Sequence, residues 1–307
     1  MKIAFQMDPL EVINFASDST WQIILEAAKK SRVYYYTPKD LFWDRGAVSA
    51  SVQEILISEL GYELLEPEIV NLEIMDVIFI RQDPPYDMAY LTTTYLLDKL
   101  SDKVLLVNNP KAIRDFPEKI SVLNYPDLIP PTIITYNYAD AQNFAKDYDK
   151  VVIKPLYSFA GKDVYCLEKD DINFERVMNE MIKEYHAPVV LQKFLPEVSK
   201  GDKRVILLNG EPVGGFVRVP KEGEIRANLA QGGSAVTSEL TARERYICEA
   251  IKPMLVENGL YFVGIDIIDG YLTEINLTSP TGIVAMKELY SINLAEEIIK
   301  NICARKD

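Results

Sequence analysis

Two oxygen-bearing side chains stand two residues apart in the segment YLTEINLTSP: Glu274 and Asn276, within residues 271–280. Leu272, Ile275 and Leu277 are apolar, and Thr273 and Thr278 are β-branched, which predicts a strand. Side chains alternate across a strand, so Glu274 and Asn276 share a face. The preceding segment, FVGIDIIDG, adds a carboxylate at Asp266. Asp, Glu and Asn offer only hard oxygen ligands, a set that suits Mg2+ (or Mn2+) beside phosphate rather than zinc, which takes His or Cys. A two-residue turn at Asp269-Gly270 would oppose Asp266 to Thr273 and send Glu274 to the other face. A shared face therefore predicts a three-residue loop, Ile268-Asp269-Gly270, with Gly270 left-handed in a bulge. The same alternation also fits an edge strand with a solvent face.

Cations follow the same logic. Lys154 sits in VVIKP, flanked by Val152, Ile153 and Pro155. Such a lysine is rarely buried unless paired, and a nucleotide phosphate would pair it. An edge-strand lysine whose stem reaches water fits as well. Lys119, in FPEKI, is a second candidate or a plain surface lysine. Arg204 and Arg218 lie in the two arms of GDKRVILLNGEPVGGFVRVP. An odd loop around Asn209-Gly210 would set both guanidinium forks on one face, to hold a carboxylate or phosphate or to pair with local acids. EIRANLAQGG places Arg226 and Asn228 in a glycine-flanked segment that reads as a lid or a surface loop.

The elements that must position these groups fall into two textures. Strand-like KIAFQM, VYYYT, DVIFIR and VLLVNNP alternate with helical patterns, one capped by Asp18 and another over residues 89–100. That alternation predicts an open, mostly parallel sheet with ligands at its carboxyl ends, where MDP, RQDPP and NNP stand. Beyond Lys111 the pattern becomes α+β. PEKI reads as a short helix, residues 140–148 and 173–184 as helices, and PPTIIT, VVIKPL, VYCLE and VVLQKFL as strands. Two hairpins turn at Asn209-Gly210 and Asp269-Gly270, and a helix covers residues 241–258.

Composition sets the limits. The chain has 307 residues, 48% hydrophobic, and a net charge of −13. That charge argues against wholesale binding to nucleic acid or an anionic membrane, while permitting a local cationic pocket. Cys166, Cys248 and Cys303 are scattered, without metal-type spacing. MKIAFQMDPL meets an acid and a proline too early for a signal peptide, and no apolar run approaches the ~18 residues that span a bilayer. A cytoplasmic protein is expected. The single histidine, His186, excludes a Ser-His-Asp or Cys-His mechanism unless it takes part, and its segment KEYHAPVV reads as a helix end at the surface.

Taken in order, MDP, DPPYD, NNPKAIRDFPEKI, GDKRV, NGEPV, RANLAQGG and FVGIDIIDGYLTEINLTSPT resemble the segments of the bacterial glutathione synthetases, in the ATP-grasp superfamily, over essentially the whole chain. The resemblance implies an ATP-grasp fold of α/β and α+β parts. An N-terminal open parallel-sheet (pre-ATP-grasp) domain would cover 1–118, a central subdomain 119–190, and a C-terminal domain with metal site and lid 191–307. It implies ligation of γ-glutamylcysteine to glycine through an acyl phosphate, with ATP converted to ADP and phosphate, and a homotetramer. By the same resemblance Asp266, Glu274 and Asn276 hold the metal, and Lys119 and Lys154 the ATP phosphates. Gly161 lies in the phosphate-covering loop, and Gln192, Lys193, Phe194 and Leu195 resemble the adenine hinge. Asp202 would contact ribose, Arg204 and Arg218 the peptide, and Arg218 or Arg226 the acyl phosphate. Asp8, Asn228 and Ser279 are further substrate contacts. Another ATP-grasp ligase with a different carboxylate and amine, or an ATP-binding regulator on the same fold, are the competing readings. One departure stands out: the loop in KPLYSFAGKDV has Gly161 as its sole glycine, and it predicts that an aromatic ring packs where glycine backbone would wrap.

Overall fold

Fully buried apolar strands set the first layer. The structure is a computed structural model and describes residues 1–159, 161–220 and 233–306. β1 (Lys2–Gln6), α1 (Ser19–Ala27) and β2 (Arg32–Tyr36) open the chain; β3 (Leu41–Asp44), β4 (Ala47–Ser58), β5 (Gly61–Leu64), β6 (Glu68–Asn71) and β7 (Val77–Ile80) follow. α2 (Met88–Asp98), β8 (Leu105–Val107) and α3 (Pro110–Asp115) complete the unit. β2, β1, β7 and β8 pair in parallel in that order. Ile3, Ala4 and Phe5 are fully buried, as strands covered on both faces must be. Helix starts follow side-chain caps: Asp18 accepts from the Trp21 N–H, and Asp87 from the Tyr90 N–H. The sequence did not signal the antiparallel strands β3 to β6, which extend this sheet around β4.

β9 (Thr132–Thr135), α4 (Tyr138–Ala145), β10 (Lys150–Pro155), β11 (Tyr165–Glu168), α5 (Phe174–Tyr185) and β12 (Val189–Lys193) form the central unit. Its antiparallel sheet runs β11-β10-β12-β9, so the expected boundary at 190/191 falls inside β12. The helix expected at PEKI is instead a turn followed by a 3-10 helix, Ser121–Asn124. α4 starts before the predicted Asp140 because Asn137 caps it, accepting from the Ala139 N–H at 2.8 Å. His186 ends α5 in the left-handed region and is exposed.

β13 (Asp202–Leu208), β14 (Glu211–Val219), β15 (Ser234–Thr237), α6 (Ala242–Glu257), β16 (Phe262–Ile268), β17 (Tyr271–Asn276), α7 (Ile283–Tyr290) and α8 (Leu294–Lys306) form the last unit. Its sheet order is β15-β14-β13-β16-β17. Both hairpins correct the expected loop lengths. Each turns through two residues with positive φ, Asn209 and Gly210 (51° and 78°) and Asp269 and Gly270 (49° and 73°). The odd residue lies one step further, in bulges that leave Val213 and Thr273 without cross-strand partners. The shared faces survive, by a different device. The Thr273 hydroxyl donates to the Asp266 carbonyl at 3.1 Å, holding the second bulge.

The first and last units share two cores, and among the described residues neither contains any residue of 132–193. The central unit buries its own core around Phe174, Met178 and Leu191. Asn108 joins the two outer units. Its amide donates to the carbonyls of Phe262 (2.7 Å) and Leu277 (2.8 Å), and its oxygen accepts from the Phe262 N–H at 2.9 Å. Replacing Asn108 with alanine strands these buried backbone groups and is expected to destabilise the protein by about 2–3 kcal/mol. Urea unfolding measures this, and an unchanged midpoint would mean the joint lies elsewhere.

Candidate active site

The bulge in each hairpin turns a row of charged groups toward one cleft. Arg204, Asp266 and Glu274 lie directly across from one another on β13, β16 and β17. Arg218, opposite Asp202, joins them diagonally. Arg204 binds Asp266 with two bonds, 2.5 Å from Nε and 3.0 Å from Nη2. Arg218 binds Asp202 the same way, at 2.5 and 2.7 Å, and its Nη2 also reaches Asp266 Oδ1 at 3.0 Å. The Asn276 amide donates to Asp266 Oδ2 at 3.1 Å. Arg204, Arg218 and Asp266 are each only 6% exposed. Burial alone would raise the Asp266 pKa, but Arg204 and then Arg218 hold it well below the usual carboxylate range. The two arginines thus share a face as expected, with forks that meet acids of the same sheet. Asp202, expected at the ribose, is engaged by Arg218.

Lysines face this row from the opposite wall. Lys154 and Lys119 each place Nζ 3.7 Å from Glu274 Oε1. Lys119 also donates to the Ser158 carbonyl. β10 lies between β11 and β12, so Lys154 is not an edge-strand lysine, and it is 7% exposed. Burial lowers its pKa, the nearby Glu274 opposes that shift, and Lys119 adds to it. β17 is an edge strand, yet Glu274 and Asn276 turn to the cleft and are half-buried.

Gly161, Gln192, Lys193, Phe194 and Leu195 line the cleft beside Lys154. The N–H groups of Lys193 and Phe194 are taken by the Pro131 carbonyl (3.0 Å) and the Lys150 carbonyl (3.2 Å). The Gln192 side chain is held by Thr132 Oγ1 at 2.9 Å. Asp8 and Ser279 do not line this cleft. Asp8 accepts from the Asp83 N–H at 2.7 Å, and Ser279 Oγ reaches the Arg81 carbonyl at 3.3 Å, so both belong to a polar group at the end of β1 and β7. Arg226 and Asn228 lie outside the described residues.

Two residues were missed. Glu118 Oε1 accepts from Leu277 N (3.0 Å), Thr278 N (3.2 Å) and Thr278 Oγ1 (2.9 Å), tying the Lys119 segment to the end of β17. Burial raises its pKa, with Lys119 opposing. An acid adjacent to a candidate phosphate lysine was the available signal. Arg81 is buried, donating to Thr20 Oγ1 (3.0 Å) and the Pro280 carbonyl (2.9 Å), with its guanidinium 5.3 Å from the Phe262 ring centre.

A hard cation finds suitable donors here. Among the described residues no three His, Cys, Asp or Glu side chains cluster for a metal, and the trio is completed only by the Asn276 carboxamide. Asn276 spends its amide nitrogen on Asp266, which leaves its carbonyl oxygen. Among the described residues Glu274 has only loose ion pairs, with Lys119 and Lys154 at 3.7 Å. Asp266 would have to exchange a guanidinium contact.

A family model described as "Prokaryotic glutathione synthetase, N-terminal domain" matches residues 1–114, and one described as "Prokaryotic glutathione synthetase, ATP-grasp domain" matches 118–291. A glutathione synthetase of Rhodopseudomonas palustris is 43% identical over 100% of this chain and 99% of its own length. One of Synechocystis is 36% identical over 97% of this chain and 98% of its own. Among solved structures, D-cycloserine synthetase DcsG superposes with a TM-score of 0.71 at 13% identity, covering all of both chains. A RimK domain ATP-grasp protein from Sphaerobacter thermophilus gives 0.65 at 16%, covering 98% of each. These superpositions confirm the ATP-grasp fold.

The lowered Asp266 pKa fixes a pH dependence. Its contribution to stability is complete above the ordinary carboxyl value of about 3.9 and is lost as pH falls through the depressed folded value. Below about pH 4 the protein is expected to lose up to about 1.4 kcal/mol per pH unit more than Asp266→Asn does. Urea midpoints at pH 5, 4 and 3 test this; parallel slopes for both proteins would contradict it.

Proposed function

The chain belongs to the prokaryotic glutathione synthetase family, and we infer that it makes glutathione by joining γ-glutamylcysteine to glycine with ATP. The observation that carries this reading is the facing of Lys119 and Lys154 on one wall against Asp266, Glu274 and Asn276 on the other. Phosphoryl transfer needs little beyond positioning and charge neutralisation. The cysteinyl carboxylate attacks the γ-phosphorus, and the bond to ADP breaks. The glycine amine, after losing its proton, attacks the acyl carbon and phosphate leaves. No protein nucleophile is required, which agrees with a single, exposed histidine at a helix end.

Lys119 and Lys154 hold the nucleotide phosphates beside the Gly161 loop. Glu274 and Asn276, with Asp266, would hold Mg2+ or Mn2+, which would supply positive charge to offset that of the phosphates. The hinge at Gln192, Lys193, Phe194 and Leu195 takes adenine; with two N–H groups already committed, the Leu195 N–H is the donor to test. Asp202 contacts ribose while holding Arg218. Arg204 and Arg218 hold the peptide or acyl phosphate charge, joined by Arg226, Asn228, Asp8 and Ser279. The N-terminal unit serves as substrate side, the central unit of β9 to β12 as nucleotide lobe, and the unit from β13 onward as metal lobe. A cytoplasmic homotetramer completes the reading.

Phosphate release should require ATP, Mg2+, γ-glutamylcysteine and glycine together; release without one amino substrate would point to another ligase. Glu274→Gln keeps shape but removes a charge, and is expected to lower turnover about 100-fold or more. Near-normal turnover by the folded variant would remove Glu274 from the metal site.

A further inference from the structure

The glycine-poor loop is seated on the N-terminal unit. After β10, Leu156 and Ser158 are buried, whereas Phe159 is exposed. Between them the Tyr157 ring stacks on Tyr86, with centroids 5.9 Å apart and planes 20° apart. Tyr86 in turn packs against Tyr90, at 5.4 Å, on α2. The Tyr86 hydroxyl reaches the carbonyls of Ile113 (3.0 Å) and Arg114 (3.1 Å), which fixes its ring. A ladder of three rings therefore crosses from the N-terminal unit to the nucleotide side. The crevice at this junction, lined by Pro84, Glu118 and Thr278 among others, is only about 20 Å3.

The segments that carry Tyr157 and Tyr86 each adjoin a different region that the ligase reading assigns to substrate. One residue beyond Tyr157, the Ser158 carbonyl accepts from Lys119 Nζ, which faces Glu274. Before Tyr86, the 81–86 segment carries the Arg81 carbonyl that Ser279 reaches and the Asp83 N–H that Asp8 accepts. Among the described residues the buried cores do not join these sides, because the central core shares none with the other two.

We propose that Tyr157 is a positioning residue whose stack on Tyr86 makes nucleotide binding and peptide binding reinforce each other. The proposal rests on the ligase reading above. Phosphate contacts that order the 156–159 segment set the ring against Tyr86, and that holds the 81–86 segment where the peptide binds. The coupling is reciprocal by necessity. A stacked aromatic pair accounts for about two- to tenfold in affinity.

The test titrates γ-glutamylcysteine into the full-length protein with Mg2+, with and without a non-hydrolysable ATP analogue, by calorimetry. The nucleotide should tighten peptide binding about two- to tenfold. Tyr157→Ala should bring that ratio near one, and Tyr157→Phe, which keeps the stack, should restore it. Tyr86→Leu should abolish the ratio from the other side. A wild-type ratio of one, a ratio preserved in Tyr157→Ala, or equal loss in Tyr157→Phe overturns the coupling while leaving the ligase reading intact. No peptide binding to the wild type under either condition overturns that reading and this proposal with it.

Discussion

A carboxylate buried between two buried guanidiniums governs the cleft. Asp266 leaves water at a cost of several kcal/mol, and so do Arg204 and Arg218, so each is tolerable only while the others are placed to hydrogen-bond it. The placement depends on strand parity. Had either hairpin closed with an even register throughout, Arg218 or Glu274 would point to the opposite face, into the apolar side of the sheet. The bulges at Val213 and Thr273 are thus conditions for the ion cluster. Among the described residues the same cluster leaves Glu274 the least encumbered carboxylate in the row, with lysines at 3.7 Å rather than a bidentate fork.

Much of this was legible locally. Alternation in YLTEINLTSP revealed the shared face of Glu274 and Asn276, and NG and DG marked both turns. The parity device was not legible, because a bulge has no composition signal of its own and Thr273 looks like any strand threonine. Whether Lys154 sat at an edge depended on strand order, which is a tertiary fact. Glu118 and Arg81 were missed for a related reason: their partners lie 159 and 199 residues away in sequence. The strands of 41–71 escaped because Phe42, Trp43 and Ile69 are exposed, so the period-2 contrast between inside and outside is blurred. The adenine hinge and the lid came from family resemblance alone.

The cleft draws on units of unequal independence. Lys154 comes from a lobe with a private core, while Asp266 and Glu274 come from a sheet whose core is continuous with the N-terminal unit. Lys119 stands at the seam, bonded to a carbonyl of the nucleotide loop while its neighbour Glu118 is bonded to the end of β17. A binding site made across such a seam can tighten by small rotations without disturbing either core.

The shared cores also bear on how the chain comes to be folded. Ile23, Ile24 and Ala27 of the first helix pack in one cluster with Leu294, Ile298 and Ile302 of the last. During synthesis at about 5–20 residues per second, a chain of 307 residues takes roughly 15–60 s to emerge. For most of that interval the first sheet has an apolar face whose cover has not yet been made, whereas the central lobe can close as soon as β12 has left the ribosome. The N-terminal sheet, although it precedes the central lobe in sequence, is then completed after it, and its uncovered apolar face, rather than the nucleotide lobe, is the surface open to non-native contacts on the nascent chain.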